Sequence, residues 1–117
     1  MLSDISSEIA VEVLREVIVS LLKSDQPALS AHQFGVFLTC YLRPDLHTVR
    51  GLATELDVSK SMITRALGKL CDHGLAQRQP DPQDRRNVLI ERTPQGVALI
   101  DRMRVIAASY HVGRVAG

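Results

Sequence analysis

The sequence predicts a mainly α-helical fold that carries a small β-hairpin towards its carboxyl end. Apolar residues recur every three or four positions in five segments, which is the period of amphipathic helices. After Gly74 the pattern changes to two short apolar runs separated by a polar loop, which is typical of paired strands. The chain has 117 residues, of which 45% are hydrophobic and 23% charged, and this fits a single globular domain over residues 1–117.

The first predicted helix covers residues 5–24 and is apolar around more than half of its circumference. Two adjacent rows of apolar side chains run along it, namely Ile5, Ile9, Val13, Val17 and Leu21, and then Ala10, Leu14, Ile18 and Leu22. A helix that packs on one core needs a narrower apolar stripe. We therefore expect one face to pack within its own domain and the other to meet a second surface, which makes this a candidate dimerisation helix.

Three shorter helices are predicted in the middle of the chain. They cover residues 30–42, 49–56 and 60–73, with Ser30, Thr48 and Ser59 as candidate N-caps. A hydroxyl oxygen at an N-cap accepts a hydrogen bond from a free backbone N–H of the first turn. Gly74 stands where a left-handed C-terminal cap is needed.

The rest of the chain predicts a hairpin followed by a last helix. The candidate strands are residues 75–78 and 88–92, joined by a polar loop at residues 80–87. Thr93 is then a candidate N-cap, and Pro94 stands at the first helical position, where proline is favoured. The last helix is predicted over residues 94–112, with Gly113 as its end.

The second and third of the short central helices have the pattern of a helix-turn-helix. Such a motif needs a small residue in its first helix and apolar residues facing back from its second. Ala53 meets the first need, and Ile63 and Leu67 meet the second. The turn holds Asp57, a residue that tolerates the left-handed conformation better than most.

The outward face of the second helix in this motif is polar and basic. A major groove presents base edges and phosphates, which need hydrogen-bonding and cationic side chains. The candidate DNA-contacting residues on this recognition helix, residues 59–73, are Ser59, Lys60, Ser61, Thr64, Arg65 and Lys69. The net charge of the chain is only +1, but residues 60–92 carry seven basic and four acidic side chains. An uneven charge of this kind favours a polyanionic partner.

The loop between the strands is a candidate wing. A hairpin beside a helix-turn-helix can place its tip in the minor groove, where arginine fits the electronegative floor. Asp84, Arg85 and Arg86 offer one carboxylate that can fix one guanidinium while the other projects. The alternative is a solvated turn with a local ion pair. With the preceding helices, we interpret residues 30–92 as a winged helix-turn-helix.

Several of these segments together resemble the MarR family of transcriptional regulators. The resemblance covers roughly residues 33–104 and rests on Val58–Arg65, the Gly-Leu-x-x-Arg series of residues 74–78, Asp-x-Arg at residues 84–86 and Thr-x-x-Gly at residues 93–96. It implies a homodimer built from the terminal helices, a pseudopalindromic double-stranded DNA site, and repression that is often relieved by a small aromatic acid or by oxidation. By position, Asp84 and Arg86 match the family's wing pair, with Arg86 at the groove.

One expectation concerns the dimer. Members of the family usually continue through a further long helix at the carboxyl end. The resemblance therefore implies a short member, with a reduced C-terminal helical region, whose dimer depends mainly on its first and last helices.

The sequence offers two further candidate sites. Phe34, Phe37 and Tyr41 are candidates for lining an aromatic-ligand pocket, with core packing as the alternative. Cys40 is a candidate redox sensor, which would make the protein a thiol-based regulator. The alternative is a buried cysteine that acts as a small hydrophobic residue. Neither Cys40 nor Cys71 belongs to a disulfide framework, so we expect a reduced, cytoplasmic setting.

Other classes of function are disfavoured by the residue pattern. No set of nucleophile, base and acid and no phosphate-binding loop stands out, so we expect no enzyme activity and no cofactor. The histidines and cysteines lack metal-ligand spacing, and no strongly apolar run exceeds four residues, so we expect no metal site and no membrane segment. The remaining alternative is a winged-helix protein-interaction module, but the outward face around Thr64 lacks the apolar anchors of such surfaces.

Overall fold

The computed structural model of the chain describes the backbone of residues 2–45 and 47–116, and the side chains of residues 6–45 and 47–110. Over this part of the chain the elements follow in the order α1 (Leu2–Leu22), α2 (Ala31–Leu42), β1 (His47–Thr48), α3 (Val49–Leu56), α4 (Lys60–Asp72), β2 (Gln77–Pro80), β3 (Val88–Glu91) and α5 (Pro94–Ala116). The predicted fold class, mainly helical with a small β-hairpin, is confirmed. None of the described helices combines the length and the apolar character that crossing a bilayer requires.

The central helices begin at the residues predicted to cap them. Ser30 Oγ accepts a hydrogen bond from the Gln33 N–H, and Gln33 Oε1 accepts one from the Ser30 N–H in return, which is a capping box. Thr48 and Ser59 cap α3 and α4 through their hydroxyl oxygens. Gly74 has a φ of +73°, the left-handed conformation expected after α4.

The sheet differs from the predicted hairpin in two respects. It has three strands in the order β1-β3-β2, because His47 and Thr48 pair with β3 in antiparallel register. Two residues are too few for a hydrophobic period to be visible in the sequence. The strand predicted from residue 75 begins at Gln77, because the Leu75 N–H still bonds the Leu70 carbonyl at 2.8 Å and belongs to the C-terminal cap of α4.

The last helix is longer than predicted. Gly113 does not end it, and α5 continues to Ala116. A glycine inside a helix costs only about 1 kcal/mol relative to alanine. It ends a helix when the chain turns left-handed there, as Gly74 does after α4.

The chain forms two compact units, and one of them, Leu29–Ala98, contains α2, α3, α4 and the sheet. Its core is made of side chains from all three helices and from the segment that leads into β2. The most deeply buried of them, each at most 2% exposed, are Val36, Phe37, Leu52, Ile63, Leu67, Leu70 and Leu75.

The other unit consists of Met1–Ala28 and Leu99–Gly117, and therefore of α1 and most of α5. An Arg102 Nη2 donates a hydrogen bond to Ser20 Oγ at 3.0 Å and links the two helices. The two apolar rows of α1 differ in exposure. Leu21, in the first row, is 7% exposed, whereas Leu14, in the second row, is 58% exposed. Val11, Ile18 and Leu22 are exposed beside Leu14. One face of α1 is thus covered within its own unit and the other is open. The second surface expected from the wide apolar arc stays a prediction.

Candidate nucleic-acid interface

The recognition helix α4 is held on one side and open on the other. Ser59 Oγ accepts a hydrogen bond from the Met62 N–H at 3.1 Å and fixes the first turn. The inward face packs against α2 and α3 through Ile63, Ala66, Leu67 and Leu70, all of them buried. The outward residues predicted to contact DNA are all exposed: Ser59, Lys60, Ser61, Thr64, Arg65 and Lys69.

The turn between α3 and α4 has the geometry expected from its sequence. Asp57 adopts φ 55° and ψ 48°, the left-handed conformation, and the Val58 N–H bonds back to the Ala53 carbonyl at 3.1 Å. Leu52 of α3 is 1% exposed and belongs to the same core as Ile63. The turn therefore fixes α4 relative to α3, which is the condition for presenting one face of α4 to a partner.

Arg65 lies along the surface of its own helix. Its Nε donates to the Ser61 carbonyl at 3.4 Å, and an Nη2 lies 3.1 Å from the Met62 sulfur. Among the side chains that the structure describes, no carboxylate forms an ion pair with this guanidinium. Its charge is available to an anionic partner.

The wing places one arginine at its tip in a fixed orientation. Asp84 Oδ1 accepts from Arg86 Nε at 3.1 Å, Asp84 Oδ2 accepts from Arg86 Nη2 at 3.2 Å, and Oδ1 also accepts from the Arg86 backbone N–H at 3.0 Å. These hydrogen bonds hold the pKa of Asp84 below its usual range, so the carboxylate stays ionised at neutral pH. The side chain of Arg86 remains 77% exposed, so the guanidinium is both oriented and accessible. The adjacent Arg85 is exposed.

Comparison with known proteins places this arrangement in a family. The sequence pattern that defines the MarR family matches residues 29–88, from the segment before α2 to the first residue of β3. The chain belongs to the MarR family. Its winged-helix fold is that of MarR-family transcriptional regulators.

Individual relatives agree with this assignment. The multiple antibiotic resistance protein MarR of Salmonella typhimurium is 38% identical over 51 residues, which are 44% of this chain and 35% of that protein, so the match spans about a third of the relative's length. A mutant MepR from S. aureus, solved bound to an oligodeoxyribonucleotide, has a TM-score of 0.76 at 21% identity and covers 99% of this chain and 83% of its own. CouR from Rhodococcus jostii, solved bound to p-coumaroyl-CoA, has a TM-score of 0.63 at 26% identity, covering 94% of this chain and 75% of its own.

The base of the wing in this MarR-family chain is tied to α2 by Arg92. Its Nε donates to the Cys40 carbonyl at 2.9 Å and an Nη2 donates to the Arg43 carbonyl at 2.8 Å, which satisfies carbonyl groups at the carboxyl end of α2. The guanidinium also lies 5.7 Å from the centre of the Tyr41 ring. Arg92 is therefore committed to the fold, in contrast to Arg86 at the tip.

The Thr-x-x-Gly segment of the family pattern has a structural role. Thr93 Oγ1 accepts from the Gly96 N–H at 3.0 Å and donates to the Gly74 carbonyl at 2.6 Å, so it caps α5 and fixes the turn after α4. A Cβ on Gly96 would overlap the Tyr41 hydroxyl. Glycine at this position is required by close packing.

The aromatic residues proposed to line a ligand pocket lie mainly in the core. Phe37 is 1% and Tyr41 7% exposed, and their ring centroids are 4.6 Å apart, while Phe34 is half-buried. An open apolar cavity of about 210 Å³ lies elsewhere in the same unit, between α2, the helix-turn-helix turn and α4. Its lining includes Val36 and Met62 but none of the three aromatic residues. A ligand role for these residues stays a prediction.

Burial disfavours the thiolate form of both cysteines. Burial raises the pKa of Cys40 to about 12, although the nearby Arg92 opposes the shift. Burial also raises the pKa of the half-buried Cys71. Because the thiolate is the reactive form, a redox role for Cys40 is disfavoured. In the part of the chain that is described, no group of three or more His, Cys, Asp or Glu residues is arranged to hold a metal ion.

Two basic residues near the interface escaped the sequence prediction. Arg50 on α3 is exposed, and its charge contributes to lowering the pKa of Asp84 on the wing. The first helix of a helix-turn-helix crosses the DNA backbone, so a basic residue there is a signal that was available. Arg78 on β2 lies beside α4 at Gly68, a proximity that no sequence spacing indicates.

Proposed function

We propose that this MarR-family chain binds double-stranded DNA with sequence specificity and acts as a homodimeric transcriptional repressor on a pseudopalindromic site. The recognition helix α4 enters the major groove, and the wing at residues 80–87 enters the minor groove. The observation that carries the proposal is the pairing of an open polar face on α4 with Arg86, which Asp84 holds exposed at the wing tip. The DNA-bound MepR mutant, a protein of the same fold, supports it.

The two elements have different tasks in this proposal. Thr64 and Arg65 on α4 read base edges, because each base pair presents a distinct donor and acceptor pattern in the major groove. Arg86 binds the minor groove, where the pattern is degenerate and affinity depends little on sequence. Lys60, Lys69 and Arg85 neutralise phosphates and position the protein.

Exposed apolar side chains on α1 support a homodimer. The open face carries Val11 at 67%, Leu14 at 58% and Leu22 at 70% exposure. A row of large apolar side chains in water is typical of a surface that meets a partner. The dimer would present two recognition helices to the two halves of a pseudopalindromic site.

Release by a small aromatic effector is the further part of the proposal. CouR was solved bound to p-coumaroyl-CoA, and this supports the binding of a small molecule within this fold. Phe34, Phe37 and Tyr41 are the ligand-lining candidates from the sequence. Saturation transfer from a panel of small aromatic acids to the protein would test this part independently of DNA.

The central test compares Arg65→Ala with Arg86→Ala in titrations of specific and mismatched duplexes. Arg65→Ala should lose about 1–3 kcal/mol of binding free energy on the best site. The difference in affinity between the best site and mismatched sites should therefore become smaller. Arg86→Ala should weaken binding to all duplexes alike. It should also lower the magnitude of the slope of log K against log salt concentration by about one unit per half-site. Both variants must keep the melting temperature and the sedimentation coefficient of the wild type. If the affinity of the wild-type protein for DNA did not change with salt concentration, a protein-interaction module would be favoured instead.

A further inference from the structure

Arg78 is a basic residue that is not among the proposed DNA contacts, and its guanidinium lies beside the recognition helix. It belongs to β2, an edge strand, and stands opposite the buried Ile90 of β3. Residues directly opposite in an antiparallel pair point to the same face of the sheet. From that face the side chain reaches α4, where a Cβ built on Gly68 would lie 3.2 Å from Arg78 Nη2.

Gly68 leaves the space that the guanidinium occupies. Glycine weakens a helix interior relative to alanine, and Gly68 has no positive φ that would require it. Any larger residue at this position would meet the end of the Arg78 side chain. Gly68 follows Thr64 by four residues and Ser61 by seven, so the guanidinium continues the outward stripe of α4 towards its carboxyl end.

Arg78 has no anionic partner within residues 6–45 and 47–110, although it is exposed. Its positive charge is felt by Cys71, where it opposes the rise in the pKa that burial causes. Arg92 donates to two backbone carbonyls and Arg86 is paired with Asp84, so Arg78 differs from both. A guanidinium that lies beside the recognition helix and has free donors is suited to a phosphate.

We propose that Arg78 binds a DNA backbone phosphate at the edge of the major groove, and that Gly68 leaves room for its guanidinium there. This inference rests on the proposed function, because it assumes that α4 enters the groove. The amino-terminal residues of a recognition helix read base edges, whereas phosphate contacts fix the register of the protein on the duplex. Arg78, beside the second half of α4, is a positioning contact that is indifferent to sequence.

The test measures the slope of log K against log salt concentration for the 117-residue chain on its selected duplex. Arg78→Gln should reduce the magnitude of the slope by about 0.9 for each protomer bound, and should weaken specific and mismatched sites by the same factor. An alanine Cβ at position 68 requires Arg78 Nη2 to move by only a few tenths of an ångström, so the bulkier Gly68→Leu is the variant used to displace the guanidinium. Gly68→Leu should shift the slope in the same direction, and its melting temperature checks that the fold is kept. In the double variant the second change should add nothing further, because both act on one contact.

Arg43→Gln is the matched control. Arg43 is exposed, and its Nε lies 3.9 Å from Glu55 Oε1. Its backbone carbonyl accepts a hydrogen bond from Arg92 Nη2 at the base of the wing, away from the tip. The slope of log K against log salt concentration for Arg43→Gln should equal that of the wild type. An unchanged slope in Arg78→Gln would overturn the inference, and so would additive effects of Gly68→Leu and Arg78→Gln. Arg65→Ala and Arg86→Ala would still test the proposed function. A wild-type protein that binds no duplex overturns both.

Discussion

The hydroxyl group of Tyr41 joins three parts of the winged helix, and its removal should measurably destabilise the fold. Tyr41 Oη donates to the Leu75 carbonyl at 2.9 Å and accepts from the Thr93 N–H at 2.9 Å. It thereby links α2 to the turn after α4 and to the start of α5. Tyr41→Phe keeps the ring and its contact with Phe37 but leaves both backbone groups without this partner.

The expected loss follows from these two contacts. A buried backbone group that loses its hydrogen-bond partner costs about 1–3 kcal/mol. The Leu75 carbonyl belongs to a residue that is 2% exposed, whereas Thr93 is only half-buried and regains water in part. We therefore expect Tyr41→Phe to lower the free energy of unfolding by about 2 kcal/mol. That is a fall of about 1 M in the urea midpoint if m is near 2 kcal/mol/M.

Urea denaturation followed by circular dichroism measures this loss, with Tyr110→Phe as the matched control. Tyr110 is half-buried on α5, and burial and the nearby Glu16 carboxylate raise the pKa of its hydroxyl, which has no core backbone partner among the described residues. The control should shift the midpoint far less than Tyr41→Phe. If Tyr41→Phe cost less than about 0.5 kcal/mol, the hydroxyl would not be a structural link. Tyr41 would then be free to serve as a ligand-lining residue.

Three further predictions follow from the wing, the open face of α1 and the buried thiol. Asp84→Asn should weaken DNA binding several-fold by releasing the Arg86 guanidinium, whereas Asp81→Asn in the same loop should not, and equal affinities in a fluorescence titration would refute the role of Asp84. Leu14→Glu should shift a dimer towards monomer in sedimentation velocity, and a wild type that is monomeric at high concentration would contradict the dimer. Cys40, with its pKa raised to about 12, should react with iodoacetamide at pH 8 only on unfolding, and rapid labelling of the native protein would restore the redox hypothesis.

The helical part of the fold could be predicted from the sequence because its signals are local. Ser30 and Ser59 cap their helices, Asp57 and Gly74 take the left-handed conformation, and the apolar period identifies the buried faces. Each of these depends on neighbours within four residues. The same holds for the wing pair, since Asp84 and Arg86 are two residues apart.

The parts that were not predicted depend on contacts between distant segments. Strand β1 forms because His47 and Thr48 lie beside β3, which is about forty residues later in the chain. The sequence suggests a ligand-lining role for Tyr41. It gives no sign that the Tyr41 hydroxyl accepts a hydrogen bond from the Thr93 N–H, 52 positions away. The position of the Arg78 side chain beside Gly68 likewise depends on two segments ten residues apart in different elements, which no periodicity encodes.

Selection of bound duplexes from a random DNA library tests the central claim most directly, because it reports binding, sequence preference and half-site spacing together. We expect enrichment of a pseudopalindrome whose half-sites are about 10 base pairs apart from centre to centre, or a multiple of that spacing. The Arg65→Ala variant should lose part of this preference, while Arg86→Ala should enrich the same sequence more weakly. Failure of the wild-type protein to enrich any sequence at low salt would contradict the account.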